Sequence, residues 1–388
     1  MNCDFYPEDF GARADGEFLN SQALQACVDA CYAAGGGRVV CGPGVYRCGS
    51  FELKSGVELH LANGCILRAS NRIQDYQQLV SDGFHTELAV ENTAYYLIGA
   101  RQAREIAITG PGTVDGCGPE FYDQTEFRRS GQFARKPVER IRLVMFHRCA
   151  GIRLEDGTYL DSPCWTMWLM LCEGIQVHRL KIRSDKRLIN SDGIDFDGCR
   201  NISVSDCIMD TEDDCLVFRA IQQVHRDPAV CENFVVSNCV LRSERNSIRI
   251  SCPNDHITRN GVFSNLVMHG RNGIFFHFPR RFAHPGQAGA EVRDISFSNL
   301  QIDCEKYPIR FDVEEGVQLT KLAGVRFSNL RMRGGEPLFL RGNADTIIED
   351  VAFEGVDFTC TGETAVLFSH CSGVRLNQVV INHAPEGR

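Results

Sequence analysis

The sequence predicts an all-β solenoid: a single-stranded parallel β-helix with one amphipathic helix closing its N-terminal end. Three observations carry this. A short strand pattern recurs along most of the chain at a coil-sized interval, a polar turn follows many copies, and one early segment has helical periodicity instead.

Composition bounds the rest. The chain has 388 residues, 43% hydrophobic and 23% charged, the balance of a well-cored protein rather than a disordered one. No apolar run approaches the ~18 residues of a membrane span, so no membrane partner is expected. Lys and Arg number 41 against 50 Asp and Glu, a net charge of −9. That argues against a nucleic-acid partner, which usually meets a basic face.

From the start of the chain, Ser21 to Ala34 sets Leu24, Cys27, Val28 and Cys31 on one helical face. Asn20 or Ser21 can cap it, and Gly35, Gly36 and Gly37 end it. An exposed coil end is a sheet edge, which such a helix can cover. The strand pattern then runs through Ile106/Ile108, Ile152/Leu154, Ile175/Val177, Ile202/Val204 and Phe234/Val236. It continues through Ile295/Phe297, Val325/Phe327, Val351/Phe353 and Val374/Leu376, with a weaker copy at Val262 and Phe263. Copies fall about 23 to 33 residues apart, except one interval of about 46 that reads as two coils. Period-two alternation marks strands, and repetition without intervening helices marks a β-helix. Ser-Asn or Ser-Asp follows the strand at Asp206, Asn238, Asn265, Asn299 and Asn329. Asn and Asp tolerate left-handed backbone, so these residues suit a tight turn and can stack into a polar ladder.

Two stretches, 116–136 and 219–229, break the repeat. Insertions on one face of a solenoid usually build its binding site. No linker or low-complexity tract interrupts the chain, so residues 1–388 are expected to form one domain. The nineteen cysteines are an odd number without zinc-like spacing. Many sit inside apolar strings, as Cys207, Cys215 and Cys239 do, which suits reduced core thiols. The N-terminal segment shows no basic stretch followed by an apolar one, so the expected location is cytoplasmic, or secreted if a leader has been removed.

The chemistry concentrates in NSDGIDFDGCRNISVSDCIMDTEDDCLVFRA. Laying Ile194–Phe196 beside Leu216–Phe218 as consecutive coils stacks Asp192 on Asp214, with Asp213 next to them. Carboxylates so close repel, which raises at least one pKa and separates an acid from a base. Turn aspartates and a structural Ca²⁺ site are the competing accounts of the same cluster.

Here the chain resembles the polygalacturonases of glycoside hydrolase family 28, in the pectin-lyase-like superfamily, whose members are right-handed parallel β-helices. The likeness rests on Asn190-Ser191-Asp192 and Glu212-Asp213-Asp214, matching the family's Asn-Thr-Asp and Gly-Asp-Asp motifs. FGARADG, ITGPGTVDGCG and DSPCWTMWLMLCEGIQVHRLKI add to it. The resemblance implies Asp214 as general acid, with Asp192 and Asp213 activating water to invert the anomeric carbon. The expected substrate is a uronate-containing or pectin-derived oligosaccharide or polysaccharide, attacked from a chain end, with no cofactor and no metal. Two departures stand out. Asn246 replaces the histidine of the family's Gly-His-Gly, and Phe275 and His277 replace its carboxylate-gripping Arg-Ile-Lys.

Other cations can take over that grip. Coil alignment puts Arg249 beside Val217, and Arg219 and His277 near Asp197. Asn190, Arg219, Asn246, Arg249, His277 and Arg280 are therefore the candidate substrate-binding residues. The plainer alternative pairs Arg249 or Arg219 with Asp195 or Asp197. Arg280, Arg281 and His284 form a basic loop that suits a solvated surface, and Trp165 and Trp168 offer a sugar-stacking face or interior packing. A lyase or epimerase using the aspartates as a metal site, and a non-catalytic carbohydrate-binding solenoid, are the alternative functions.

Overall fold

The computed structural model describes residues 3–284 and 286–384. Apart from the helix Ser21–Ala33 and short 3-10 turns, its secondary structure is β. The chain divides into two compact units. The first holds the described residues through Asp195, with Cys207–Glu212 and Gln223–Arg226. The second holds Phe196–Asp206, Asp213–Gln222 and the described residues from Asp227 on.

In the first unit the helix buries Leu24, Cys27, Val28 and Cys31, the face its periodicity marks. It packs on the strands Gly37–Cys41 and Phe51–Glu52. Neither expected side chain caps it. Asn20 instead ties down the preceding loop, accepting the Arg13 N–H at 2.7 Å and donating to the Phe18 carbonyl at 2.9 Å. Ser21 Oγ accepts the Gly49 N–H, 2.7 Å away. Ile106 pairs in parallel with Ile152, and Ile152 with Ile175. The long interval is thus one coil, not two. Its extra length holds an antiparallel hairpin, Tyr122–Phe127 with Phe133–Arg135, inside the predicted 116–136 insertion.

In the second unit the column continues as Ile202, Phe234, Gly261, Ile295, Val325 and Val351, each beside the next. Gly261 explains the weak copy there. A Cβ would lie 2.0 Å from the Phe234 ring, so only glycine fits. Phe263, Phe297, Phe327 and Phe353 stack inside with centroids 4.6, 5.0 and 4.8 Å apart, the spacing of neighbouring strands. The expected turn ladder runs alongside. Asn238, Asn265, Asn299 and Asn329 have φ between 54° and 57°. Each amide donates to the one a coil before, at 3.2, 3.2 and 2.7 Å. A second ladder, Asn201, Asn233 and Asn260, follows the same rule.

The 219–229 segment is not an open loop. Ala220, Ile221, Val224, His225 and Ala229 are all buried, because apolar side chains recur there often enough to pack. None of the nineteen cysteines is in a disulfide, and sixteen are buried. Burial pushes the thiols of Cys27 and Cys304 up to about 12, which leaves them unreactive. Among the described residues no helix is long and apolar enough to cross a membrane.

Candidate active site

In the first unit, Asn190, Ser191 and Asp192 lie just before the strand Ile194–Asp197. Asn190 takes left-handed backbone, φ 57°, which bends the chain ahead of the strand. The buried Ser191 hydroxyl donates to the Ser162 carbonyl at 2.9 Å, and the Thr166 N–H donates to the Asp192 carbonyl at 2.9 Å. Asp192 itself is 5% exposed. The motif is thus anchored through its main chain and its serine.

The hairpin reaches both motifs, with contacts that the sequence did not single out. The Tyr122 hydroxyl lies 2.8 Å from the carbonyls of Pro163 and Ile189. Arg140 Nη1 donates to the same Ile189 carbonyl at 2.6 Å. Further along, the Gln132 amide donates to Glu212, and the half-exposed Arg135 donates to Asn190 Oδ1 and, at 2.9 Å, to Glu91. Composition hinted at this, since the insertion is polar and dotted with aromatics, but spacing alone does not aim a hairpin.

In the second unit, Asp213 and Asp214 precede the strand Leu216–Arg219. Asp214 stands two residues before its strand, as Asp192 does before Ile194–Asp197. It is 3% exposed. Asn246 Nδ2 donates to its Oδ1 at 2.5 Å, Arg249 Nη1 lies 3.8 Å from its Oδ2, and its N–H donates to Asp213 at 3.1 Å. Burial pushes the Asp214 carboxyl above its ordinary value, outweighing Arg249 and the hydrogen bonds that pull it down. Asn246 accepts from Asn272 at 3.2 Å, and Asn272 accepts the Tyr307 N–H at 3.4 Å. One extra residue in the strand Val240–Ile250 shifts its register just before Asn246, as bulges near functional sites do. Asn272 was missed, although it follows Asn246 by the same 26 residues that separate Ile248 from its partner Ile274.

The predicted cations sort differently. Arg249 does lie beside Val217. Its partners are Asp214 and Cys252, whose Sγ is 3.3 Å from Nη2. Burial opposes its charge, but Cys252 and Asp214 outweigh that and keep it protonated. Arg219 reaches Asp255 at 3.2 Å. Asp197 accepts the Ile221 N–H at 2.8 Å. The Arg219–Asp255 pair was not foreseen, because Asp255 lies outside the strand repeat that the alignment of coils counts. Burial, then Arg310, hold the His277 imidazole below its usual value, although its Nε2 lies 3.0 Å from Glu314. The Arg280 main-chain N–H donates to Glu314 at 2.9 Å while its side chain stays in solvent. In the first unit, Trp165 and Trp168 offer no face to a sugar. Both are buried edge to face, with the Arg142 guanidinium 4.9 and 4.5 Å from their rings.

Comparison with known proteins places this geometry. Glycosyl hydrolases family 28 matches residues 81–233, a stretch that holds both aspartate motifs and ends before Asn246. A probable polygalacturonase from Vitis vinifera is 30% identical over 219 residues, 55% of this chain and 43% of the relative. The chain spans about half the length of the curated relatives it matches. Among solved structures, an exopolygalacturonase from Thermotoga maritima superposes with a TM-score of 0.78 at 20% identity, over 98% of this chain and 92% of that one. The family 28 exopolygalacturonase of Yersinia enterocolitica gives 0.68 at 20% identity, over 96% and 78%. The fold is that of these right-handed parallel β-helices.

Proposed function

We propose that this polygalacturonase-like chain, similar to family 28, is a glycoside hydrolase. Its substrate is a uronate-containing, pectin-derived oligosaccharide, cut from the chain end with inversion. The carrying observation is a register. The Phe196 ring stacks on Phe218 at 5.0 Å, and the Gly198 N–H donates to the Arg219 carbonyl at 2.8 Å. Each of the two strands carries an aspartate two residues ahead of it, Asp192 before Ile194–Asp197 and Asp214 before Leu216–Arg219, with Asp213 next to the latter.

Such a trio separates proton donor from base. Asp214, whose carboxyl burial raises, keeps its proton and gives it to the leaving oxygen. Asp192 and Asp213 take a proton from the attacking water, which strikes the opposite face of the ring. Asn246 orients the Asp214 carboxyl, and Arg249 balances its charge once the proton has left. Exo-action is supported by the hairpin, whose Arg135 and Gln132 contact both motif segments and can close one end of a cleft. Nineteen thiols outside disulfides, sixteen of them buried, favour a reducing, cytoplasmic setting.

The test is Asp214→Asn assayed on pectic oligosaccharides. Turnover should fall at least ~100-fold, the scale of general-acid catalysis, with KM little changed. Proton NMR of the wild-type product should show the inverted anomer first. Normal turnover by the variant, or an unsaturated product absorbing in the ultraviolet, would overturn the proposal, the latter in favour of a lyase.

A further inference from the structure

In the second unit Asn246 pairs directly with Asn272 on the neighbouring strand. The two are 6% and 7% exposed, and the proposed hydrolysis gives Asn272 no role. A carboxamide can turn either its NH₂ or its oxygen toward a neighbour, and the two ends are alike in shape. For Asn246 the choice matters. One end donates to Asp214, and the other can only accept from it.

The surroundings of Asn272 make that choice. Its Nδ2 donates at 2.8 Å to the Arg245 carbonyl, which can only accept. Its Oδ1 lies 3.4 Å from the Tyr307 main-chain nitrogen, which can only donate. Turning this amide over would set oxygen against oxygen and N–H against N–H, so it has one orientation. The backbone on both sides is held. The Gly273 N–H donates to the Tyr307 carbonyl at 3.0 Å and the Ile274 N–H to the Pro308 carbonyl at 2.9 Å. A Cβ on Gly273 would lie 2.4 Å from that Pro308 oxygen, so the approach that delivers the Tyr307 N–H needs glycine there. Opposite, the register shift before Asn246 is pinned by Ser243 Oγ, which accepts the Arg245 N–H at 2.8 Å and donates to the Asp213 carbonyl at 2.7 Å.

With Asn272 locked, the remaining bonds run in one direction. Asn272 Nδ2 also donates to Asn246 Oδ1 at 3.2 Å. Asn246 must therefore present Nδ2 to Asp214 Oδ1, 2.5 Å away. Once Oδ1 is taken by a donor, an acid proton on Asp214 belongs on Oδ2. The charged groups facing Asp214 in this unit are Arg249, whose Nη1 is 3.8 Å from that Oδ2, and Asp213, which accepts the Asp214 N–H at 3.1 Å.

We propose that Asn272 is a positioning residue: it fixes the orientation of Asn246 and, through it, assigns proton delivery to Oδ2 of Asp214. This rests on the hydrolase reading for the reaction, but the orientation can be tested without it.

The experiment is carbon-13 NMR of the full chain labelled at its aspartate carboxyls and titrated in pH, with the Asp214 signal assigned by its loss in Asp214→Asn. Asn272→Leu frees Asn246 to turn over and offer its oxygen, a state that favours protonated Asp214. The Asp214 midpoint should rise by about one pH unit or more, a tenfold change in proton affinity and the scale of one hydrogen bond to a charged group. Asn272→Ala, which removes the amide without adding an apolar branch, should act in the same direction and decides the matter if the leucine variant does not fold. In an Asn246→Leu background either substitution should add nothing, since the amide it acts through is gone. The limb of the kcat–pH profile set by the acid should move with the midpoint. Circular dichroism and melting temperature confirm that each variant is folded. An unmoved midpoint in the folded variants, or an equal rise in the Asn246→Leu background, would overturn the proposal. The expected NMR shifts in an enzyme that cleaves no pectic oligosaccharide would sink the hydrolase and leave the orienting role standing.

Discussion

Three arginines, one in the first unit and two in the second, behave differently. In the first, Arg142 is fully buried. It donates to the carbonyls of Thr93 and Val90 and packs against two tryptophans. In the second, Arg249 and Arg310 lie on outward strand positions, share carboxylates and keep part of their surface open. Carbonyls consume a guanidinium's donors without answering its charge, so Arg142 cements a fold. A buried carboxylate answers that charge, so Arg249 and Arg310 can keep part of their surface in solvent. The partner and the exposure decide the role, not the residue type.

That contrast breaks first at Arg142. Arg142→Ala should cost about 3 kcal/mol or more in urea unfolding, because buried carbonyls lose their donors and two tryptophans lose their packing. Arg310→Gln should cost less stability, since Arg341 still answers the buried Asp312. Equal destabilisation by both would erase the distinction.

A second effect separates ordinary carboxylates from Asp214. Its folded pKa is raised by burial above the ordinary 3.8. The folded state therefore holds this proton more tightly than the unfolded chain. The stability it contributes is complete below the ordinary value and is lost as pH rises through the raised one. Asp214→Asn should flatten that part of the stability–pH curve measured by urea titration. An unchanged slope would mean the carboxyl is already ionised there. Activity that needs the proton should fall over the same rise in pH.

The smallest effect lies on the turn ladder. Asn299→Ala removes an amide that bonds both neighbours and forces alanine into left-handed backbone, at about 1–2 kcal/mol. Asn299→Gly should lose less, since glycine accepts that backbone. If alanine and glycine cost the same in thermal unfolding, the backbone term is absent.

The aspartate motifs and the coil columns were legible because both depend on local order. Strand alternation fixes which side chains face inward, and a constant coil length fixes which residues stack. Phe196 against Phe218, and Val217 against Arg249, follow from counting. The phenylalanine stack follows from the same columns, though the repeated Phe297, Phe327 and Phe353 were noticed only as apolar positions. Counting failed where coils change length. The interval from Ile106 to Ile152 looked like two coils because an antiparallel hairpin has no coil period.

By itself the sequence determined an all-β solenoid, its N-terminal helix, its asparagine turns and the spacing of Asp192 from Asp214, since each rests on backbone periodicity or single-residue conformational preference. Only the tertiary structure decided what answers each basic group. Arg219 went to Asp255, Arg142 to carbonyls and tryptophans, and burial holds the His277 imidazole below its usual value. Arg310, three strands along from Val217, came to share Asp312 with Arg341. Charge partnership and desolvation depend on what loops and neighbouring coils bring within a few ångströms, and no spacing along the chain encodes that distance.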